Sequence, residues 1–176
     1  MRKSETDSKG GDGTRGRGNP QKILTTQQAL ERAREKPGIV YSYVAAVLSQ
    51  TGETSVAYAL QCLWNEYGTR ITHSQIAMWR LGTRSIPPAA LRAMLQRALP
   101  WILSEVGVDA GRCTKEQLTA LAELLVTSVE SKPEVVEWLI LTVLGKAAVK
   151  MDRKRMPWLV AAVRPPPLNK VKTWAR

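Results

Sequence analysis

Apolar residues return along most of this chain at intervals of three and four, the period of helices with one buried face. From Ile39 to Gln50, Val40, Val44, Val47 and Leu48 recur at that spacing, and Thr51-Gly52 closes the run, which predicts a core helix. The next run has Thr54 or Ser55 as its cap. Val56, Leu60, Leu63 and Tyr67 form its stripe, Ala59 and Trp64 its edges, and Gly68 its stop. Farther on, Leu118, Leu121, Leu124, Leu125 and Val129 make a continuous stripe. The segment carrying Val135, Val136, Trp138, Leu139, Leu141, Val143 and Leu144 is apolar nearly all round. Together these predict a helical hairpin over 112–150, whose second helix is either central to its own unit or shared with a second copy of the chain.

Helix starts are written just as locally. Thr25 and Gln28, Thr72 and Gln75, and Thr114 and Gln117 each have the spacing of a capping box. In such a box the hydroxyl accepts from the third helical amide while the glutamine side chain reaches back. Thr25 opens a short polar helix that Pro37-Gly38 ends, and Ser131-x-x-Glu134, with Pro133 in the first turn, opens the second arm of the hairpin. The helix from Thr72 stops at Gly82, and Ser85 followed by Pro87-Pro88 predicts another capped start. At about 100° per residue, Ile76 and Trp79 point one way, Ser74, Ala77 and Met78 the other, and His73 and Gln75 lie on the flanks. One side is therefore anchored, and the other is small and uncharged.

Charge changes this picture from an ordinary helical protein to one with a polyanionic partner. The 176 residues hold 26 Lys and Arg against 15 acids, a net charge of +11 with a pI near 10.1. Met1 to Pro20 is rich in Gly and basic residues with almost nothing to bury, so 1–22 is expected to be a disordered basic tail. From Lys146 onward nine basic residues face one acid, and Pro165-Pro166-Pro167 enforces an extended path, so 151–176 is expected to be a basic tail containing Pro and Trp. Between residues 50 and 100, Arg70, Arg80, Arg84, Arg92 and Arg97 outnumber Glu53 and Glu66.

Catalytic chemistry has little material. Four aspartates, two of them in the expected tail, make a poor acidic metal cluster, and no phosphate-binding glycine loop is present. Cys62, Cys113 and a single histidine, His73, fall short of the usual four-ligand zinc sites. Tyr41 and Tyr43 lack the Arg and His cluster of a recombinase, so they read as packing residues. The expectation is no enzyme, no metal and no cofactor. With neither a signal peptide nor an apolar stretch of about twenty residues, a cytoplasmic, nucleoid-associated location without membrane contact is expected.

The string Ile76-x-x-Trp79-x-x-Gly82-x-x-x-Ile86-Pro87-Pro88 resembles the exit of the recognition helix in phage repressor and Cro-class helix-turn-helix proteins. The likeness covers about residues 54–98 and implies an all-α fold with a helix-turn-helix inside region 23–103, followed by the hairpin and flanked by the two tails. By that resemblance the Thr72–Leu81 helix enters the major groove. Ser74, Gln75, Ala77 and Met78 would lie nearest the base edges and His73 at the groove edge, while Arg70, Thr72, Arg80, Arg84 and Arg92 would hold phosphates. A second register makes Ser74–Leu81 the first helix of the pair and Pro88–Gln96 the recognition helix. The implied function is sequence-specific regulation of transcription on double-stranded DNA, in a phage, plasmid or other mobile element. A homodimer would pair through Leu118–Leu144. Two alternatives stand beside it: a nucleic-acid packaging or RNA-binding helical protein, and a protein-interaction adaptor using the Val135–Leu144 face.

Overall fold

The computed structural model of the chain describes residues 24–169. The N-terminal tail expected over 1–22 and the last residues of the C-terminal tail, 170–176, lie outside the described residues. The fold is all-α. Its helices are α1 (Thr26–Glu35), α2 (Ile39–Thr51), α3 (Val56–Tyr67), α4 (His73–Leu81), α5 (Pro88–Glu105), α6 (Lys115–Thr127), α7 (Pro133–Leu144) and α8 (Met156–Ala162). None of these helices is long and apolar enough to cross a membrane.

All three Thr-x-x-Gln boxes form. The hydroxyls of Thr25, Thr72 and Thr114 accept from the amides of Gln28, Gln75 and Gln117 at 3.1–3.2 Å, and each glutamine Oε1 accepts from the capping residue's own amide at 2.8–3.1 Å. Each cap stabilises its helix by about 1 kcal/mol and fixes where the chain turns in. The expected cap at Ser85 does not form. Pro87 takes the capping position of α5 with no side-chain bond, and Pro88 fills its first turn.

The core is laid on α2 and α5. In α2 the side chains of Ile39, Val40, Tyr43 and Ala45 through Leu48 are all buried, so that helix meets neighbours on nearly every side: α1, α3, α4, α5 and α8. Its polar groups are satisfied inward, Ser42 Oγ donating to Ala162 O at 3.0 Å and Tyr43 Oη to Ala59 O at 3.2 Å. Burial pushes the Tyr43 phenol well above its ordinary pKa, which keeps it protonated. The last helix of region 23–103 ends close to its expected limit, at Glu105. α5 runs on through Pro100 to Glu105 because Leu99, Trp101, Ile102 and Leu103 are buried on both sides of the proline. Gln50 Nε2 donates to Arg97 O at 3.3 Å beside the turn that Pro100 interrupts.

The hairpin α6–α7 forms as expected, but it is not a separate module. Leu121, Ala122 and Leu125 of α6 are buried in the same continuous core as α2 and α5, with α6 packed on α5. Helix α7 is less uniform than its composition suggests: Val136, Leu139, Ile140 and Leu144 are buried while Val135 and Trp138 face outward.

The C-terminal tail expected over 151–176 is corrected across its described part. Met151, Met156, Leu159, Val160, Ala162 and Val163 are buried, and α8 packs against α2, α5 and α7. Trp158 meets Trp101 edge-on with centroids 5.8 Å apart and donates Nε1–H to Arg34 O at 3.1 Å. Beside it, Glu105 at the end of α5 receives both Arg34, at 2.7 and 2.8 Å, and Arg155. Past α8, Pro165-Pro166-Pro167 carries the chain back across the molecule. Asn169 then donates its backbone N–H to Gly82 O at 2.9 Å and Nδ2–H to Leu81 O at 3.0 Å. This strap ties the last described residues to the end of α4.

Candidate nucleic-acid interface

Helix α4 is held from below by Ile76 and Trp79, both buried, and packs chiefly on α2. Its opposite side carries Ser74, exposed, with Ala77 and Met78, both half-buried. His73 is exposed on one flank. Sequence reasoning missed Leu81, which is 58% exposed and continues this side, although its position three residues after Met78 was a usable signal. The outward surface is thus small, uncharged and apolar toward its C-terminal end.

Gln75 has a second role that restricts its first. Its Oε1 accepts from Thr72 N at 2.9 Å and from Thr72 Oγ1 at 3.3 Å, which leaves only Nε2 free to donate. It cannot keep the cap and pair with adenine through both amide atoms. Replacing Gln75 by Glu retains the box, because Glu serves equally at that position, but removes the donor. Stability of Gln75→Glu in urea denaturation is expected to stay within about 0.5 kcal/mol of the parent. If Gln75 reads a base, preference at one position should relax by about 1–3 kcal/mol; an unchanged preference profile would remove Gln75 from the reading set.

The arginines divide sharply. Arg34, Arg92, Arg97, Arg112, Arg153 and Arg155 each form an ion pair. Arg92, expected to bind phosphate, instead joins Glu123 and braces α5 against α6, so it is withdrawn from that role. Arg70, Arg80 and Arg84 are exposed, and no acid of the described residues pairs with them. Arg70 lies with its guanidinium 5.7 Å from the centroid of Trp64, which is exposed at the edge of the α3 stripe. Arg32 of α1, which the sequence did not single out, shares a small hollow with Arg80, Tyr41 and Ile76 and is likewise free of acids. Thr72 is exposed, but its hydroxyl is spent within the cap.

In the register that reads bases from Pro88–Gln96, the outward face of α5 is Pro88, Ala89, Arg92 and Gln96. Ala90, Leu91, Ala93, Met94 and Leu95 are buried there and Arg92 is paired. Cys62 and Cys113 are free thiols, and no cluster of three or more metal-ligating side chains occurs among the described residues. Compared with known families, curated proteins and solved structures, the chain matches none.

Proposed function

We propose that this protein binds double-stranded DNA sequence-specifically and regulates transcription, with α3 and α4 in the roles of a repressor- or Cro-like helix-turn-helix and α4 in the major groove. The observation that carries this reading is the placement of the free arginines. Arg70, Arg80 and Arg84, with Arg32 beside Arg80, surround an outward helix side that is itself uncharged, on a chain of net charge +11. Phosphate oxygens on either side of a groove suit such flanking guanidinium groups, and base edges suit small polar and apolar side chains between them. Ser74 and Gln75 Nε2 supply hydrogen bonds, and Ala77, Met78 and Leu81 supply contact for a thymine methyl. The molecule works without metal, cofactor or catalysis, in the cytoplasm on nucleoid DNA of a phage, plasmid or other mobile element. Two copies pair through the α6–α7 hairpin, where Val135 and Trp138 of α7 face outward.

The test is selection of purified protein on random duplex DNA at about 150 mM salt, where purely electrostatic binding is weakened. An enriched motif is expected, and a palindromic one reports the dimer. Retention without enrichment would favour packaging or RNA binding, and no retention would favour the adaptor. On an enriched site, Arg80→Ala is expected to weaken all sequences alike and to reduce the salt slope by about one. A change in base preference with the slope intact would move Arg80 from the phosphates to a base.

A further inference from the structure

A second feature lies outside the α4 surface. Between the α4–α5 turn, the end of α6 and the strap is a cleft of about 590 Å³, inside the ~300–1,000 Å³ range of small-molecule sites. Its walls are mostly apolar, with Leu91 of α5, Val126 and Val129 of the α6 region, and the strap prolines opposite. Three charged side chains line it: Arg84, Arg164 and Glu130. None of them forms an ion pair with a described residue.

Arg164 is the notable one. Its backbone is fixed at both ends, the carbonyl accepting from Ile39 N at 2.9 Å and the amide donating to Ala161 O at 3.3 Å. One guanidinium nitrogen, Nη2, donates to Ser131 O. Its Nε is buried and has no acceptor among the described residues. A guanidinium partly withdrawn from water, with an unused donor and no counter-ion, gains from an anion that accepts its remaining N–H groups. Arg84 adds a second cation at the same cleft, and Glu130 leaves the local balance positive. The chain's own last residues are no match, since Lys170, Lys172 and Arg176 repeat the sign already there.

We propose that this cleft binds a small organic carboxylate with an apolar body, the carboxylate on Arg164 and Arg84 and the body against Leu91, Val126 and Val129. The apolar walls account for the body, and the two unpaired arginines account for the charge.

The experiment titrates the full chain, without DNA, with 4-phenylbutyrate and with its uncharged analogue 4-phenylbutyramide, followed by calorimetry. The omission of DNA makes the outcome independent of the proposed regulatory function. The carboxylate is expected to bind about tenfold or more tighter than the amide, the size of a charge-assisted hydrogen bond. Arg164→Gln should bring the two probes to within about twofold of each other. Arg84→Gln, on an exposed turn, should narrow the gap without disturbing the core, and so serves if Arg164→Gln folds poorly. Val126→Trp, which fills the cleft, should weaken both probes together. Equal binding of the two probes, binding of neither, or binding of the carboxylate that Val126→Trp leaves unchanged would each overturn the proposal.

Discussion

Gly82→Ala is expected to destabilise the protein by about 3 kcal/mol, well beyond the cost of the same change at Gly52. Both glycines end a helix in the left-handed region, with φ of 71° at Gly82 and 72° at Gly52. An alanine there costs about 1–2 kcal/mol from its own backbone. At Gly52 a new Cβ meets nothing within 4 Å, whereas at Gly82 it would sit 2.4 Å from Pro167 O, a backbone atom that cannot swing aside. The strap must lift, and with it go the two hydrogen bonds from Asn169 to Gly82 O and Leu81 O, each worth about 1 kcal/mol. Urea denaturation of the two variants gives the difference directly. Amide exchange at Asn169, slowed in the parent by its bond to Gly82, should become fast in Gly82→Ala alone. Equal costs at the two positions would mean that the strap does not rest on α4. The result bears on function because α4 owes part of the fixing of its C-terminal end to this contact, and the proposed reading helix needs a fixed direction.

How much of this could be read from the chain follows the range of the interactions involved. The caps at Thr25, Thr72 and Thr114 close within three residues and depend on nothing else, so spacing alone placed them. The same holds for the buried side of α4, where Ile76 and Trp79 are one turn apart. The expected tail after residue 150 fails for the opposite reason. Arg153-Lys154-Arg155 and the three prolines dominate its composition, while the burial of Met156, Leu159, Val160 and Val163 is decided by surfaces on α2, α5 and α7. Those apolar residues do recur at helical spacing, and that was the available signal. At Pro100 too the wider packing prevails, because the local penalty of a proline is outweighed by the buried residues on both sides of it. At the site, Arg70, Arg80, Arg84 and Arg92 look alike as sequence. Only the position of Glu123, supplied by a helix distant in the chain, separates Arg92 from the rest.

The second large effect concerns Glu105, on which three parts of the fold converge. Arg34 of α1 binds its carboxylate through two hydrogen bonds, Arg155 from the turn before α8 approaches Oε2 at 3.6 Å, and the Glu105 side chain is only 14% exposed. The Arg34 bonds, with its charge and that of Arg155, outweigh desolvation and hold the Glu105 carboxyl below its ordinary pKa. A depressed carboxyl binds protons more readily in the unfolded chain. Its contribution is therefore complete above the unfolded value near 4.3 and disappears as pH falls through the lower folded value. Glu66 acts in the opposite sense, since burial raises its pKa despite Arg97 and Tyr43, and its protonation on acidification relieves a cost of folding. Glu105→Gln at pH 7 is expected to lose about 2 kcal/mol, less than a fully buried pair would, because Arg34 and Arg155 retain enough exposure to be rehydrated. For a chain of this size that corresponds to a fall in Tm of roughly 4–8 °C. As pH falls through the lowered folded value of Glu105 the gap between variant and parent should close, since the parent then loses the same charge. Melting curves from pH 7 to pH 3 test both statements together. A gap that persists unchanged at pH 3 would assign the loss to packing at the α5 terminus rather than to the charge shared by Arg34, Glu105 and Arg155. In Glu66→Gln the acid-induced loss should remain, because the Glu105 cluster is untouched. Through Arg155 the cluster adds to the buried contacts of Met156, Leu159, Val160 and Val163 that hold α8 to the core, so acidification removes the charged share of that attachment and leaves the apolar share in place.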